Sequence, residues 1–373
     1  MAAQSSDGPG LDEGPRAGRS PGGWPGQRGV RSGILAAAIL FLVAAVFTPS
    51  AKSLNALSIG GRGAALLTPW DSFYSVAFLP SGKCYVVGAQ GALLTSTDGG
   101  GHWTRSKLAE RGDLSWFDLY SIRFAADGRA GWISGEGGLI LHTADGGETW
   151  RPQQSGTSEN LFRIAAADPR HAYATGTNGV MMRTDDGGEH WQAQRIKGGL
   201  IFFDIAFADA QNGWAVGEFA TILHTVDGGR TWVPQMGGTR SNFRLPALFA
   251  IGFSDLLHGV AAGQGGTLFS TSDGGKSWQQ LKAPISEPVY SVAYDGQAGL
   301  APAELWATGD GGMLLRMALG TDGAGAQTTV QEPTVFSLSD IAFHGQTGIA
   351  VGLSGTILRT ADGGAHWQLV SGK

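Results

Sequence analysis

The chain is short of cysteine, of charge and of helical periodicity. Its single cysteine, Cys84, cannot form an internal disulfide, which excludes a disulfide scaffold and a thiolate metal cluster. Charged residues make up only 15% of the 373 positions, without runs of lysine or arginine, and this argues against a nucleic-acid partner. Five of the 26 basic residues (Arg16, Arg19, Arg28, Arg31, Lys52) and three of the 31 acidic ones fall within residues 1–53, so the remainder is the more acidic part. Apolar residues scarcely recur at helical spacing, which excludes a helical fold. Long hydrophobic runs are also missing, with one exception from Gly33 to Phe47. That run is shorter than the ~20 residues of a usual membrane span.

The exception organises the N-terminal part. Residues 1–32, rich in Gly, Pro, Ser and Arg, read as a disordered tail. Residues 33–53 read as a signal peptide or a membrane anchor, the anchor using residues 33–48. Arg28 and Arg31 precede the run on the inner side. Either way, residues 54–373 are expected outside the inner membrane, in the periplasm or on the membrane's outer face.

What the chain has in excess is glycine, 61 residues, arranged periodically. One motif, [Ser/Thr]-x-Asp-Gly-Gly-x-x-Trp, occurs six times. Its Asp and Trp positions are Asp98 and Trp103, Asp145 and Trp150, Asp186 and Trp191, Asp227 and Trp232, Asp273 and Trp278, and Asp362 and Trp367. Successive Asp positions are 47, 41, 41, 46 and then 89 residues apart. The last step holds a degenerate copy, Gly309-Asp-Gly-Gly312 followed by Leu315-Arg-Met317, in which Leu319 stands where the Asp would be. Seven units result.

Each unit opens with a strand-like segment, such as Phe73-Tyr-Ser-Val-Ala-Phe78, Leu119-Tyr-Ser-Ile-Arg-Phe124 or Phe202-Phe-Asp-Ile-Ala-Phe207. A second segment, a Gly-x-x-Gly turn, a third segment, the box and a fourth segment follow. Large apolar residues alternate with small or polar ones, which is strand periodicity. Four short strands in each of seven units predict an all-β, seven-bladed β-propeller over residues 54–373. The sixth blade should lack its box near Met317–Gly325 and have a longer or less ordered turn there. The box itself reads as structural: its carboxylate can accept backbone N–H groups of its own turn, its glycines supply unusual dihedrals, and its Trp packs back on the strands.

These motifs are similar to Asp-boxes, or BNR repeats. With the Gly-x-x-Gly-x-[Ile/Leu]-[Leu/Phe/Met]-x-[Thr/Ser] segment before each box, residues 54–373 resemble the photosystem II stability/assembly factor family. The resemblance implies a non-enzymatic propeller that assists a membrane protein or membrane protein complex during assembly, in the thylakoid lumen if the host is photosynthetic. It also implies an arginine-rich docking surface. Arg163, Arg240 and Arg244 are scattered along this chain.

Two other classes share the repeat. Sialidases open with a Phe/Tyr-Arg-Ile-Pro motif, which Phe243-Arg244-Leu245-Pro246 resembles, but here it follows the fourth box, and a matching arginine triad and acid/nucleophile pair are not evident. A periplasmic carbohydrate-binding propeller is the other alternative. No catalytic residues, metal ligands or cofactor, and no small-molecule substrate, are expected, and the propeller is expected to be monomeric. His102, His190 and His366 share one box position, and His142 and His224 another. Equivalent positions lie far apart around a ring, so metal binding is not expected of them, and all five read as exposed hairpin residues. Partner binding is assigned to the turns that differ between blades, at Glu136, Asn178, Glu218, Gln264 and Asp310, on the face opposite the boxes.

Overall fold

The computed structural model describes residues 67–106, 114, 116–237, 244–294, 304–319 and 325–370, with the backbone alone at 325–327. The tail at 1–32, the hydrophobic segment at 33–53 and Arg240 lie outside the described residues.

The chain forms seven four-stranded antiparallel sheets, each from four strands consecutive in sequence. The first blade contains Phe73–Phe78, Cys84–Gly88, Leu93–Ser96 and Thr104–Arg105. The opening strands of the other six are Leu119–Phe124, Leu161–Ala166, Phe202–Phe207, Leu248–Phe253, Val289–Tyr294 and Leu338–His344. Opening strands of neighbouring blades pack against one another all the way round, so they line the axis. The expected seven-bladed propeller is the fold.

Burial follows strand order. Second strands such as Gly131–Gly135 and Gly213–Gly217 are buried throughout, because a blade covers each of their faces. Glycine there makes room: a Cβ at Gly131 would lie 2.4 Å from the Phe124 ring. Fourth strands are outermost, and several are polar and nearly all exposed, as Thr104–Arg105 and Gln192–Arg195 are. Their shortness and edge prolines (Pro152, Pro234) leave little template for a further strand. The Cys84 thiol is fully buried, which pushes its pKa up to about 12 and makes it an inert core group.

The ring closes without a borrowed strand among the described residues. Arg359 Nε in blade 7 donates to the Gly99 carbonyl of blade 1 at 2.8 Å. The sixth blade does lack the box, but the consequence lies in its strands. Its third strand continues to Leu319, where the other blades turn, and the fourth resumes at Gly325. Pairing runs unbroken from Leu314–Gln331 to Leu319–Gly325, with one irregularity at the tip. Leu319 is buried in an apolar cluster with Met317 and Leu305, so packing stands in for the missing carboxylate. The intervening turn, 320–324, lies outside the described residues.

Candidate functional site

Antiparallel order puts the boxes and the first-to-second strand turns on one face of the ring. The second-to-third strand turns and the blade-to-blade connections lie on the other. The two faces have different chemistry.

On the box face the carboxylate and the Ser or Thr hydroxyl of every box have internal partners, while the indole N–H groups of Trp150, Trp232 and Trp367 are buried without one among the described residues. In all six boxes the Ser or Thr hydroxyl donates to one Asp oxygen, at 2.8 Å for Ser96–Asp98 and Thr225–Asp227. The same hydroxyl accepts the N–H of the second glycine, as Gly229 does at 2.9 Å. That Asp oxygen also accepts the amide four residues on, Thr231 N–H at 2.9 Å. The other Asp oxygen takes the side chain of that residue: Thr149, Thr231 or Ser277 through a hydroxyl, His102, His190 or His366 through Nδ1, at 2.6–2.8 Å. Bonds to His102 hold Asp98 well below the usual carboxylate range. Burial raises Asp145 and Asp227, but hydroxyl and amide donors outweigh it and leave both at about 2.

The boxes also join blades, which the sequence did not reveal. Trp150 sits edge-on to Phe124 of its own blade and Tyr85 of the preceding one, and Tyr85 Oη donates to the Gly146 carbonyl at 2.6 Å. Gln153 and Gln194 donate likewise to the Gly187 and Gly229 carbonyls of the next box. His142 and His224 are not exposed hairpin residues as expected. They lie in third strands, His224 stacked on the buried Trp214 at 4.7 Å and His142 tilted on Trp132 at 5.0 Å, and burial lowers both pKa values. Among the described residues no His, Cys, Asp and Glu side chains gather to hold a metal ion.

The opposite face carries the five partner-binding candidates together. In each blade the turn returns to the residue preceding the opening strand, as Glu136 N–H does to Asp118 O at 3.0 Å and Glu218 N–H to Ile201 O at 3.1 Å. The side chains are partly engaged as well. Glu218 accepts Ile201 N–H at 2.9 Å, Asn178 donates to Glu159 at 2.8 Å, and Asp310 accepts the Ser337 hydroxyl. Gln264 and Glu136 make only long contacts of 3.4 Å, to Ala247 N–H and Asp118 N–H. The fourth turn departs from the pattern. It ends in Ala220 rather than glycine, and Phe219 and Ala220 are both left-handed, at φ 57° and 51°. Two consecutive non-glycine residues there store strain.

This face also exposes large apolar residues in the connections preceding blades 7, 1 and 2. Val335 is 81% exposed, Trp70 87% and Trp116 80%, with Phe336 and Phe117 beside them. They form a crescent over three consecutive blades. Single exposed apolar residues are ordinary, but a run of tryptophans on one rim is not. Leu245, 41% exposed, lies on the same face before blade 5. Its neighbour Phe243, from the sialidase-like stretch, is outside the described residues.

Beneath this face the channel is closed by buried charge. The third residues of the opening strands include Ser75, Arg163, Asp204, Ser291 and Asp340. Arg163 Nε donates to Asp204 at 2.7 Å, and its guanidinium lies 3.5 Å from Asp340. Arg163 therefore belongs to the interior and not to a docking surface. Asp340 also takes Arg123 at 3.2 Å, Ser75 at 2.8 Å and Ser291 at 2.6 Å. Burial would raise the Asp340 carboxyl, but the two arginines outweigh it and keep it ionised. Blades 2, 3, 4, 6, 7 and 1 thus meet in one network of two cations and two anions.

Each opening strand carries a β-bulge at its second residue, between Phe73 and Ser75 in blade 1. Six of those residues are aromatic: Tyr74, Tyr120, Phe162, Phe203, Phe249 and Tyr290. Blade 7 has Ser339 instead. Consecutive rings lie 5.9, 5.4, 6.3, 5.2 and 5.9 Å apart by centroid. The repeated Tyr or Phe was present in the sequence, but only the bulge and the ring arrangement bring the six together.

Comparison with known proteins places this architecture. The family model described as photosynthesis system II assembly factor YCF48 matches residues 66–154 and 195–282. No curated protein matches the sequence. The solved structure of YCF48 bound to D1 peptide is 24% identical, with a TM-score of 0.62 over 79% of this chain and 95% of that one. YCF48 from Cyanidioschyzon merolae is 20% identical, with a TM-score of 0.62 over 80% and 97%. A GH74 xyloglucanase from Xanthomonas campestris is 15% identical, with a TM-score of 0.62 over 82% of this chain but only 55% of the enzyme. At these identities the solved structures speak to the fold alone. The family match and the propeller fold together make the chain similar to the photosystem II assembly factor-like family.

Proposed function

We propose that this propeller is a non-catalytic scaffold that assists assembly of a membrane protein complex, docking its partner on the turn face. The observation that carries the reading is the asymmetry of the two faces. The box face repeats one saturated hairpin six times, whereas the turn face varies between blades and exposes Trp70, Trp116 and Val335. Repeated turns cannot specify an orientation, and varied turns with apolar anchors can. The family match supports the class of function, and the YCF48 structure with a D1 peptide supports a protein partner. Glu136, Asn178, Glu218, Gln264 and Asp310 ring this face. Export by residues 33–53 is part of the reading and would put the propeller where such a partner is assembled.

Glycoside hydrolysis is the less supported alternative. Arg163 and Arg123 are bound to Asp204 and Asp340 and do not converge on an open cleft. The chain spans about half of the xyloglucanase it matches.

The test is co-purification from the host's membrane extract. Trp70→Ser/Trp116→Ser/Phe336→Ser should lose a partner that wild-type protein and Asp227→Ala both retain. Equal retention by the triple variant, or turnover of a sialoside or xyloglucan by purified protein, would sink the reading.

A further inference from the structure

The six channel aromatics have no role in the assembly of the blades described above. All are half-buried, although they point to the axis of a ring whose interior is otherwise closed. Among the described residues their ring contacts run only between neighbouring blades, and none crosses the axis. The rings therefore form a wall and do not fill the mouth. The floor is the layer below, where Arg163 reaches from blade 3 to Asp340 in blade 7, and its two cations and two anions leave no net charge. The mouth is thus a cup, open on the turn face.

The rim over one side of this cup is acidic. Asp118 and Glu136 lie close enough to Tyr74 and Tyr120, and Asp310 to Tyr290, to add to burial in pushing those hydroxyls up. Among the described residues, Arg105 pairs with Asp71 at 2.5 Å and Arg195 with Glu159 at 3.0 Å. Lys197 and Arg244 belong to the connections before blades 4 and 5, across the ring from Tyr74 and Tyr120. The wall has its gap at Ser339 of blade 7, beside the apolar crescent of Val335, Phe336 and Trp70. A π wall under carboxylates attracts cations, since the ring face is the negative part of an aromatic quadrupole. An apolar crescent next to it suits a peptide that carries apolar and basic side chains together.

We propose that the cup at the turn-face mouth binds a lysine or arginine side chain from an exposed segment of the partner protein, held against Tyr74 and Tyr120 beneath Asp118 and Glu136. The inference rests on the reading of the turn face as the docking face and gives that face its chemical specificity.

The probe is the blocked peptide acetyl-Leu-Lys-Leu-Lys-Leu-amide, titrated calorimetrically into the full chain beside the same peptide with both lysines Nε-acetylated. The lysine peptide should bind about ten-fold tighter, the scale of one desolvated cation–π contact. Tyr74→Leu/Tyr120→Leu should abolish that preference, and Tyr74→Phe/Tyr120→Phe, which keeps both rings, should retain it. Equal binding of the two peptides by wild type, or a preference that survives the leucine pair, overturns the proposal. If the leucine pair does not fold, Asp118→Asn/Glu136→Gln should reduce the preference at least three-fold, and an unchanged preference overturns it equally. Membrane-partner capture separates the two readings. Wild-type capture by the leucine pair, with loss in the tryptophan variant, refutes the cup and leaves the docking face standing. Capture by the tryptophan variant refutes the face itself.

Discussion

The two faces of this propeller are built from the same repeat and differ in how much of their hydrogen-bonding capacity is used internally. A box carboxylate receives a hydroxyl, an amide and a second side chain from its own hairpin, and box glycine carbonyls accept donors from the preceding blade. Such a face is near saturation and can change little without loss of stability. On the turn face the fixed element is backbone, the return of each turn to the residue before the opening strand. Its side chains are free to differ between blades, and they do. Saturation and variability thus separate stability from recognition within a single repeat.

The layer between the faces is where this separation can be broken most severely. Asp340→Asn leaves Arg163 and Arg123 short of a counter-charge in a closed channel. It should cost about 3–5 kcal/mol, as removal of one partner from a buried ionic network does. Urea unfolding would register it as a lowered midpoint, and a loss below about 1 kcal/mol would show that the network is solvated in solution.

On the box face, Asp227→Ala should cost about 1–2 kcal/mol through unsatisfied turn amides, without affecting partner capture. The boxes also predict an acid dependence. Asp145 and Asp227 lie at about 2, below the ~3.9 of an unfolded chain. Because the folded values are depressed, their stabilisation is complete above about pH 4 and disappears as pH falls through about 2. Urea midpoints should decline across that window, and Asp227→Ala should decline less than wild type. A parallel decline in both proteins would remove this box from the account.

The smallest expected effect lies on the turn face. Ala220→Gly relieves a left-handed alanine next to left-handed Phe219 and restores the residue type found at the same place in the other six turns. A gain of about 0.5–1 kcal/mol is expected, visible as a raised melting temperature. A lower melting temperature would mean that the buried Ala220 methyl contributes more by packing than its backbone costs.

The sequence by itself determined the seven units, the four-strand blade, the hydrogen-bonded box and its loss in the sixth blade. Each of these is written in residues close together along the chain, as glycine spacing, alternation or an Asp two positions after its Ser or Thr partner. The face carrying Glu136, Asn178, Glu218, Gln264 and Asp310 was also legible, because antiparallel order assigns alternate turns to opposite faces. What the sequence did not disclose was contact between blades. His142 and His224 read as hairpin residues until the fold stacked them on Trp132 and Trp214. Arg163 read as a scattered arginine until ring closure brought it to Asp340, which lies across the channel in the opening strand of the last blade. Local patterns fix local geometry, but a charge network and an aromatic wall around an axis exist only once seven separate strands converge, and only the tertiary structure decides which side chains meet there.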